Sequence, residues 1–145
     1  MTAASEADRK RRILVYYDGS AESTRALDRV VEIASVVPSD VTVVSVAEPL
    51  YPAPPYTGYA DPIEEERHRD LLENASRRLD AHGIAAETIE PTGKSGDAIL
   101  DAARERRVEL IVIGSRQRSL VRHLLFDGLA DKLVVEAAAD VLVVR

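Results

Sequence analysis

Five short aliphatic runs, separated by longer stretches with helical spacing, constrain this chain more than any other feature. The runs cover 13–17, 41–46, 85–90, 110–113 and 141–144, the third weaker than the rest. Ile13-Leu14-Val15-Tyr16-Tyr17 has no polar–apolar alternation, which is the pattern of a strand buried on both faces. β-branched residues dominate 41–46, as strands favour. After the first run, Ser20 can cap a helix in which Leu27, Val30, Val31 and Ala34 share a face. Pro38-Ser39-Asp40 is expected to end it. A second helix is expected over 62–82, with Leu71, Leu72, Ala75 and Leu79 inward and Gly83 as its stop. A third opens at Ser95 or Asp97 and runs to about residue 107, with Ile99, Leu100 and Ala103 inward. Arg104, Arg106 and Arg107 in its last turn complement the helix dipole. A fourth is expected over 127–137. Strict strand–helix alternation implies a parallel α/β sheet with helices on both faces, and right-handed crossovers leave few topologies.

The 145 residues are enough for one domain with one sizeable core. Residues 1–10 are expected to be a mobile tail and 11–145 the domain. Aromatic residues are only 4% of the chain, so the core must be aliphatic. There are 19 Lys and Arg against 25 Asp and Glu, net −6. Such a surface repels a phosphate backbone and argues against nucleic-acid partners. Absence of cysteine excludes disulfides and thiolate chemistry. His68, His82 and His123 lack metal-ligand spacing. No apolar stretch approaches the roughly 20 residues of a membrane span, and residues 1–12 hold no apolar signal core. The cytoplasm is the expected location. Between the second run and second helix, Pro49, Pro52, Pro54, Pro55 and Pro62 favour extended backbone.

Parallel α/β sheets bind ligands at the carboxyl ends of their strands, so the loops there carry the functional question. Gly93-Lys94-Ser95 resembles the end of a Walker loop, but Thr88 stands where its first glycine is required. Gly19 stands alone after the first strand, without the G-x-G-x-x-G of a dinucleotide site. A phosphorelay receiver needs an acidic cluster, and only Asp18 is placed for one.

A fourth pattern fits. It consists of Asp18-Gly19-Ser20 after the first strand, Gly96-Asp97-Ala98-Ile99-Leu100, then Glu109-Leu110-Ile111-Val112-Ile113-Gly114-Ser115-Arg116, and a closing Asp140-Val141-Leu142-Val143-Val144-Arg145. In this order and spacing the chain resembles the universal stress protein family over 11–145. The resemblance implies a Rossmann-like fold of the adenine nucleotide alpha hydrolase type, with five parallel strands in the order 3-2-1-4-5. Many members bind ATP at the switch point between strands one and four; others do not. Binding members carry G-x-x-G, nine residues, then Gly and Ser or Thr, whose amides and hydroxyl hold phosphates. An Asp after strand one and a backbone position ending strand two contact the nucleoside; Asp18 and Val46 match these.

The phosphate loop departs from that pattern. Gly114 matches the first glycine, but Gln117 and Asp127 replace the other two and Gly128 replaces the hydroxyl. A side chain at Gln117 obstructs close approach of phosphate, and Asp127 can cap the final helix where an anion would sit. Against this, Arg116, Arg118, Arg122 and His123 share the loop, and arginine pairs well with phosphate. A one-residue shift would put Gly128 on the last family glycine. The implied site is therefore Asp18, Val46, Gly114, Ser115, Arg116, Arg118 and Gly128. It would take ATP or another adenine nucleotide, weakened or altered, with magnesium only alongside the nucleotide. Asp18 is open to either a ribose contact or a local turn. Tyr51, Tyr56 and Tyr59 are open to either stacking on adenine or a lid or interaction surface. The alternative is a nucleotide-free protein-interaction module, its pocket closed by Asp127. No general base stands beside the loop, so an enzyme such as a slow ATPase ranks last. In the family order 141–144 is an edge strand, uninterrupted by Lys or Pro, and such edges invite pairing. Universal stress proteins commonly dimerise through it, so a homodimer is expected.

Overall fold

The computed structural model describes residues 9–46, 62–115 and 128–145. The elements are β1 (Arg11–Tyr16), α1 (Ala21–Val36), β2 (Ser39–Val44), α2 (Pro62–Asp80), β3 (Ala86–Ile89), α3 (Ser95–Glu105), β4 (Leu110–Gly114), α4 (Gly128–Glu136) and β5 (Asp140–Val144). The strands form one five-stranded sheet in the order β3-β2-β1-β4-β5. Every neighbouring pair is parallel, with Ile13 beside both Val41 and Leu110, and Ile111 beside Val141.

The core is two layers because neighbouring residues of a strand face opposite ways. Ile13, Val15, Val41, Val43 and Val112 face one side, against Ala26, Leu27 and Val30 of α1 and Leu72, Ala75 and Leu79 of α2. Leu14, Tyr16, Val44, Ile111 and Ile113 face the other, against Ile99 and Ala103 of α3 and Leu133 of α4. The uninterrupted aliphatic runs are thus explained: β1 is covered on both faces, and Leu14 and Val15 are fully buried.

Element ends follow local chemistry. Ser20 caps α1, its Oγ accepting from the Ser23 N–H at 3.1 Å. α1 stops at Val36, and Ser39 and Asp40, read as part of its stop, already belong to β2. Pro38 lacks the N–H a continuing helix would need, and its carbonyl accepts from the Arg11 N–H at 2.8 Å. That bond draws the start of β2 onto β1. α3 ends at Glu105, two residues short of the expected 107, and Arg107 lies in the left-handed region at φ 52°. The Val108 N–H then reaches the Ala103 carbonyl at 2.9 Å, the closing bond of a Schellman turn. The Arg107 carbonyl accepts from Arg12 Nε at 2.7 Å. Among the described residues no helix is long and apolar enough to cross a membrane.

Candidate functional site

The order 3-2-1-4-5 makes the chain leave β1 toward β2 on one side and return as β4 on the other. Parallel sheets of this order take ligands at that divergence, at the carboxyl ends of β1 and β4. The turn after β1 forms one wall. The Tyr17 N–H continues the ladder onto the Val44 carbonyl at 2.9 Å. Asp18 Oδ1 then accepts from the Ser20 N–H at 3.0 Å, and the Asp18 N–H donates to Ser23 Oγ at 3.2 Å. So one carboxylate oxygen of Asp18 is engaged in the turn, as its position before Gly-Ser allows. Gly19 has φ +80°, and a Cβ there would lie 2.7 Å from Leu71 Cδ2. The turn favours glycine for its backbone angle, and a side chain there would have to displace the end of Leu71 on α2.

Gly114 forms the other wall. A Cβ at this position would stand 2.4 Å from the Glu22 carbonyl carbon, 2.5 Å from its oxygen and 2.7 Å from Ser23 N. These are backbone atoms of the first turn of α1. The glycine therefore lets the end of β4 rest directly on the amino-terminal turn of α1. The Ser115 N–H donates to the Val144 carbonyl at 2.6 Å, tying the next residue to β5.

Val46 is buried just beyond β2, beside the same end of the sheet. Its neighbour Ser45 is fully buried, with its N–H on the Ile89 carbonyl at 3.1 Å. Ser45 Oγ is hydrogen-bonded to His68 Nδ1 on α2 at 2.7 Å. This pair escaped the sequence reading, because nothing links two residues 23 apart before α2 is folded onto β2. Gly128 opens α4, and among the described residues a Cβ on it would meet nothing within 4 Å. Arg116, Gln117, Arg118, Arg122, His123, Asp127 and the tyrosines Tyr51, Tyr56 and Tyr59 lie outside the described residues. The structure thus brings Asp18, Gly114 and Ser115 around one helix turn, with Val46 at the same sheet end.

Two charge clusters lie toward the amino ends of the strands, and one ion pair joins α3 to α4. At the amino ends of the strands, Glu109 meets Arg11 at 3.0 Å, Arg9 at 3.1 Å and Arg12 at 3.4 Å. The Arg11 hydrogen bond, helped by the charges of Arg9 and Arg12, holds its carboxyl below the usual range. Arg106 grips Glu87 through two bonds, at 2.8 and 3.1 Å, and lowers that carboxyl as well. Lys132 on α4 reaches Asp97 at 2.8 Å and so lowers it, joining α3 to α4. Among the described residues no group of three or more acidic or histidine side chains is placed to hold a metal ion.

The sheet order and two-sided helical covering define a Rossmann-like α/β protein with its switch point between β1 and β4. Within that class, residues 10–145 match the model of the universal stress protein family. Universal stress protein YxiE of Bacillus subtilis is 31% identical, with 92% of this chain and 98% of that protein covered. A universal stress protein solved in complex with cAMP superposes with a TM-score of 0.76 at 24% identity, covering 93% of this chain and 97% of that one. The universal stress protein from Archaeoglobus fulgidus in complex with dAMP does so at 0.73 and 21%, covering 94% and 98%. The chain belongs to the universal stress protein family.

Proposed function

We propose that this chain is a homodimeric regulatory protein that binds an adenine nucleotide in the β1–β4 crevice, gripping the nucleoside more firmly than the phosphates. The observation that carries the reading is the contact of Gly114 with the first turn of α1. It brings the Asp18 turn and the β4 loop together around one helix amino terminus, an end that favours anions. The cAMP and dAMP complexes of proteins with this fold support an adenine ligand. Asp18 and the Val46 backbone are the proposed nucleoside contacts, and Arg116 and Arg118 the proposed phosphate partners. The phosphate end is weakened because one glycine of the family's three remains and the Ser115 amide is engaged by Val144. On this reading AMP and ATP bind with similar affinity, since the outer phosphates gain few partners. The protein is cytoplasmic and not an enzyme.

Isothermal titration with AMP, and with ATP plus magnesium, tests this. Similar Kd values for both support it. ATP binding more than about 100-fold tighter, roughly 2.8 kcal/mol, would contradict the weakened phosphate grip. Binding of neither at millimolar concentration would favour the second reading, an interaction module closed by Asp127. That reading then requires Asp127→Gly with Gly128→Ser to restore nucleotide binding.

The dimer is proposed through β5, an edge strand. The Asp140 N–H and the Val144 carbonyl are paired inward, with the Glu109 carbonyl just before β4 and the Ser115 N–H just after it. By alternation along the strand, Val141 and Val143 direct their backbone groups outward. Two antiparallel copies can thus pair Val141 with Val143 of the second copy, twice over, across a two-fold axis at Leu142. Exposed Val134, Val135 and Val143 lie on α4 and β5, supplying apolar surface near this edge. Sedimentation showing only monomer at tens of micromolar would overturn the dimer.

A further inference from the structure

We infer that the chain binds an α-amino acid with an uncharged side chain, held as its zwitterion, in a cleft at the amino ends of β1, β2 and β3. This end of the sheet is opposite the one proposed for the nucleotide. The cleft has a volume of about 340 Å³, and Arg12, Asp40, Thr42, Glu87, Arg106 and Val108 are among the residues lining it. That size is at the lower end for small-molecule sites. Its floor follows from strand register. Leu14 packs toward α3, so Arg12, two residues earlier on β1, faces the same side. Asp40 is in register with Arg12, Thr42 with Leu14, and Glu87 with Thr42, so these side chains share one face of the sheet. α3 ends at Glu105, and Arg106 and Val108 of the turn after it form the wall.

The Thr42 hydroxyl is the group that calls for a ligand. Thr42 is only 7% exposed and stands between valines of β2, yet its hydroxyl has no hydrogen-bond partner among the described residues. Buried hydroxyls normally have one, and this residue lines the cleft. Beside it stand opposite charges that do not meet. Arg12 and Asp40 are cross-strand neighbours, but among the described residues they form no ion pair with each other. Arg12 donates from Nε to the Arg107 carbonyl at 2.7 Å and turns Nη2 to Glu109 at 3.4 Å, which leaves Nη1 for a ligand. Among the described residues Asp40 has only Lys10, at 3.7 Å. Guanidinium, hydroxyl and carboxylate thus line one cleft, with donors for an anion and an acceptor for a cation. An α-amino acid carries both charges on a single carbon. Its carboxylate would accept from Arg12 and Thr42, and its ammonium would donate to Asp40. Its side chain would meet Ala85, Val108 and the Glu87–Arg106 pair, whose two hydrogen bonds already match the opposite charges. A charged side chain gains no partner there.

Glycine, L-threonine and L-glutamine are the probes, titrated into the isotope-labelled chain and followed by its amide resonances. The expected result is saturable shifts at Arg12, Thr42 and Glu87 with a Kd of about 1 mM or tighter for at least one probe, and no competition by AMP. N-acetylation of that probe removes the ammonium, and amidation removes the carboxylate. Each should weaken binding at least about tenfold, as loss of a charge-assisted bond does. Asp40→Asn, at a side chain 63% exposed, should fold normally and weaken binding by a similar factor. Thr42→Val removes the hydroxyl and keeps the shape. It should weaken binding at least about fivefold and leave the urea midpoint equal or higher, since a buried hydroxyl without a partner adds no stability. No saturable shift with any probe up to about 20 mM overturns the site. Capped derivatives that bind as tightly as the free amino acid overturn the zwitterion grip. Displacement by AMP would put the ligand in the nucleotide site and overturn the separate cleft. A lowered midpoint for Thr42→Val would assign the hydroxyl to the fold and overturn its role as a ligand contact.

Discussion

Gly114→Ala is the sharpest test of how the end of β4 is seated on α1. The added methyl would sit 2.4–2.7 Å from three backbone atoms of Glu22 and Ser23, where an ordinary carbon contact needs about 3.5 Å or more. No side-chain rotation can relieve this, because the opposing atoms belong to a helix. β4 and α1 must separate by about an ångström at this point, and α1 is packed on β1 and β4 through the fully buried Leu27 and Val30. Overpacking of a rigid core costs about 1–3 kcal/mol. With a urea dependence of about 2 kcal/mol per molar for a domain of this size, the midpoint should fall by about 0.5–1.5 M. Gly128→Ala is the control. It adds the same methyl at the start of α4, where it meets none of the described residues, and helix propensity makes it neutral or stabilising by up to about 1 kcal/mol. An unchanged midpoint for Gly114→Ala, or equal losses for both variants, would refute the steric account. AMP titration of the folded fraction should show weaker binding by Gly114→Ala than by Gly128→Ala.

Other perturbations follow from the same geometry. Leu79→Ala opens a cavity in a fully buried site between α2 and the sheet, and should cost about 2–5 kcal/mol in urea unfolding. Glu109→Gln should reduce the acid dependence of stability. The folded carboxyl titrates below its ordinary range, so its contribution is complete above about pH 4.3 and is lost as pH falls through the lowered value. An acid-unfolding profile between pH 5 and 2 should be flatter for the variant, and less so in high salt, where exposed charges are screened. Asp28→Ala removes an exposed partner of Arg78, and should change stability by less than about 1 kcal/mol.

Much of this architecture was legible as sequence, and the reason is periodicity. Runs such as Ile13–Tyr17 can only be strands covered on both sides, and Leu27 and Val30, or Leu72, Ala75 and Leu79, can only be helix faces. The structure buries all five of those leucine, valine and alanine side chains. Ser20 was readable as a cap because capping needs only a local hydroxyl. Where local signals compete, the reading slipped: Ser39 and Asp40 have turn chemistry, yet pairing with Arg11 and Arg12 draws them into β2. The left-handed Arg107 also had no sequence signal, since that conformation usually calls for Gly or Asn.

The site divides along the same line. Sequence by itself located the ends of β1 and β4 to within one residue, because the Asp-Gly-Ser and Gly-Ser pieces follow aliphatic strands. It also exposed the loss of two glycines from the phosphate loop, which is a matter of counting. Only the tertiary structure decided why Gly114 is glycine, since the atoms that exclude a side chain belong to residues 22 and 23. The same holds for the Ser45–His68 bond and for the Ser115 amide on Val144. Each depends on crossovers that place distant segments side by side, and no local rule encodes which backbone will lie against which.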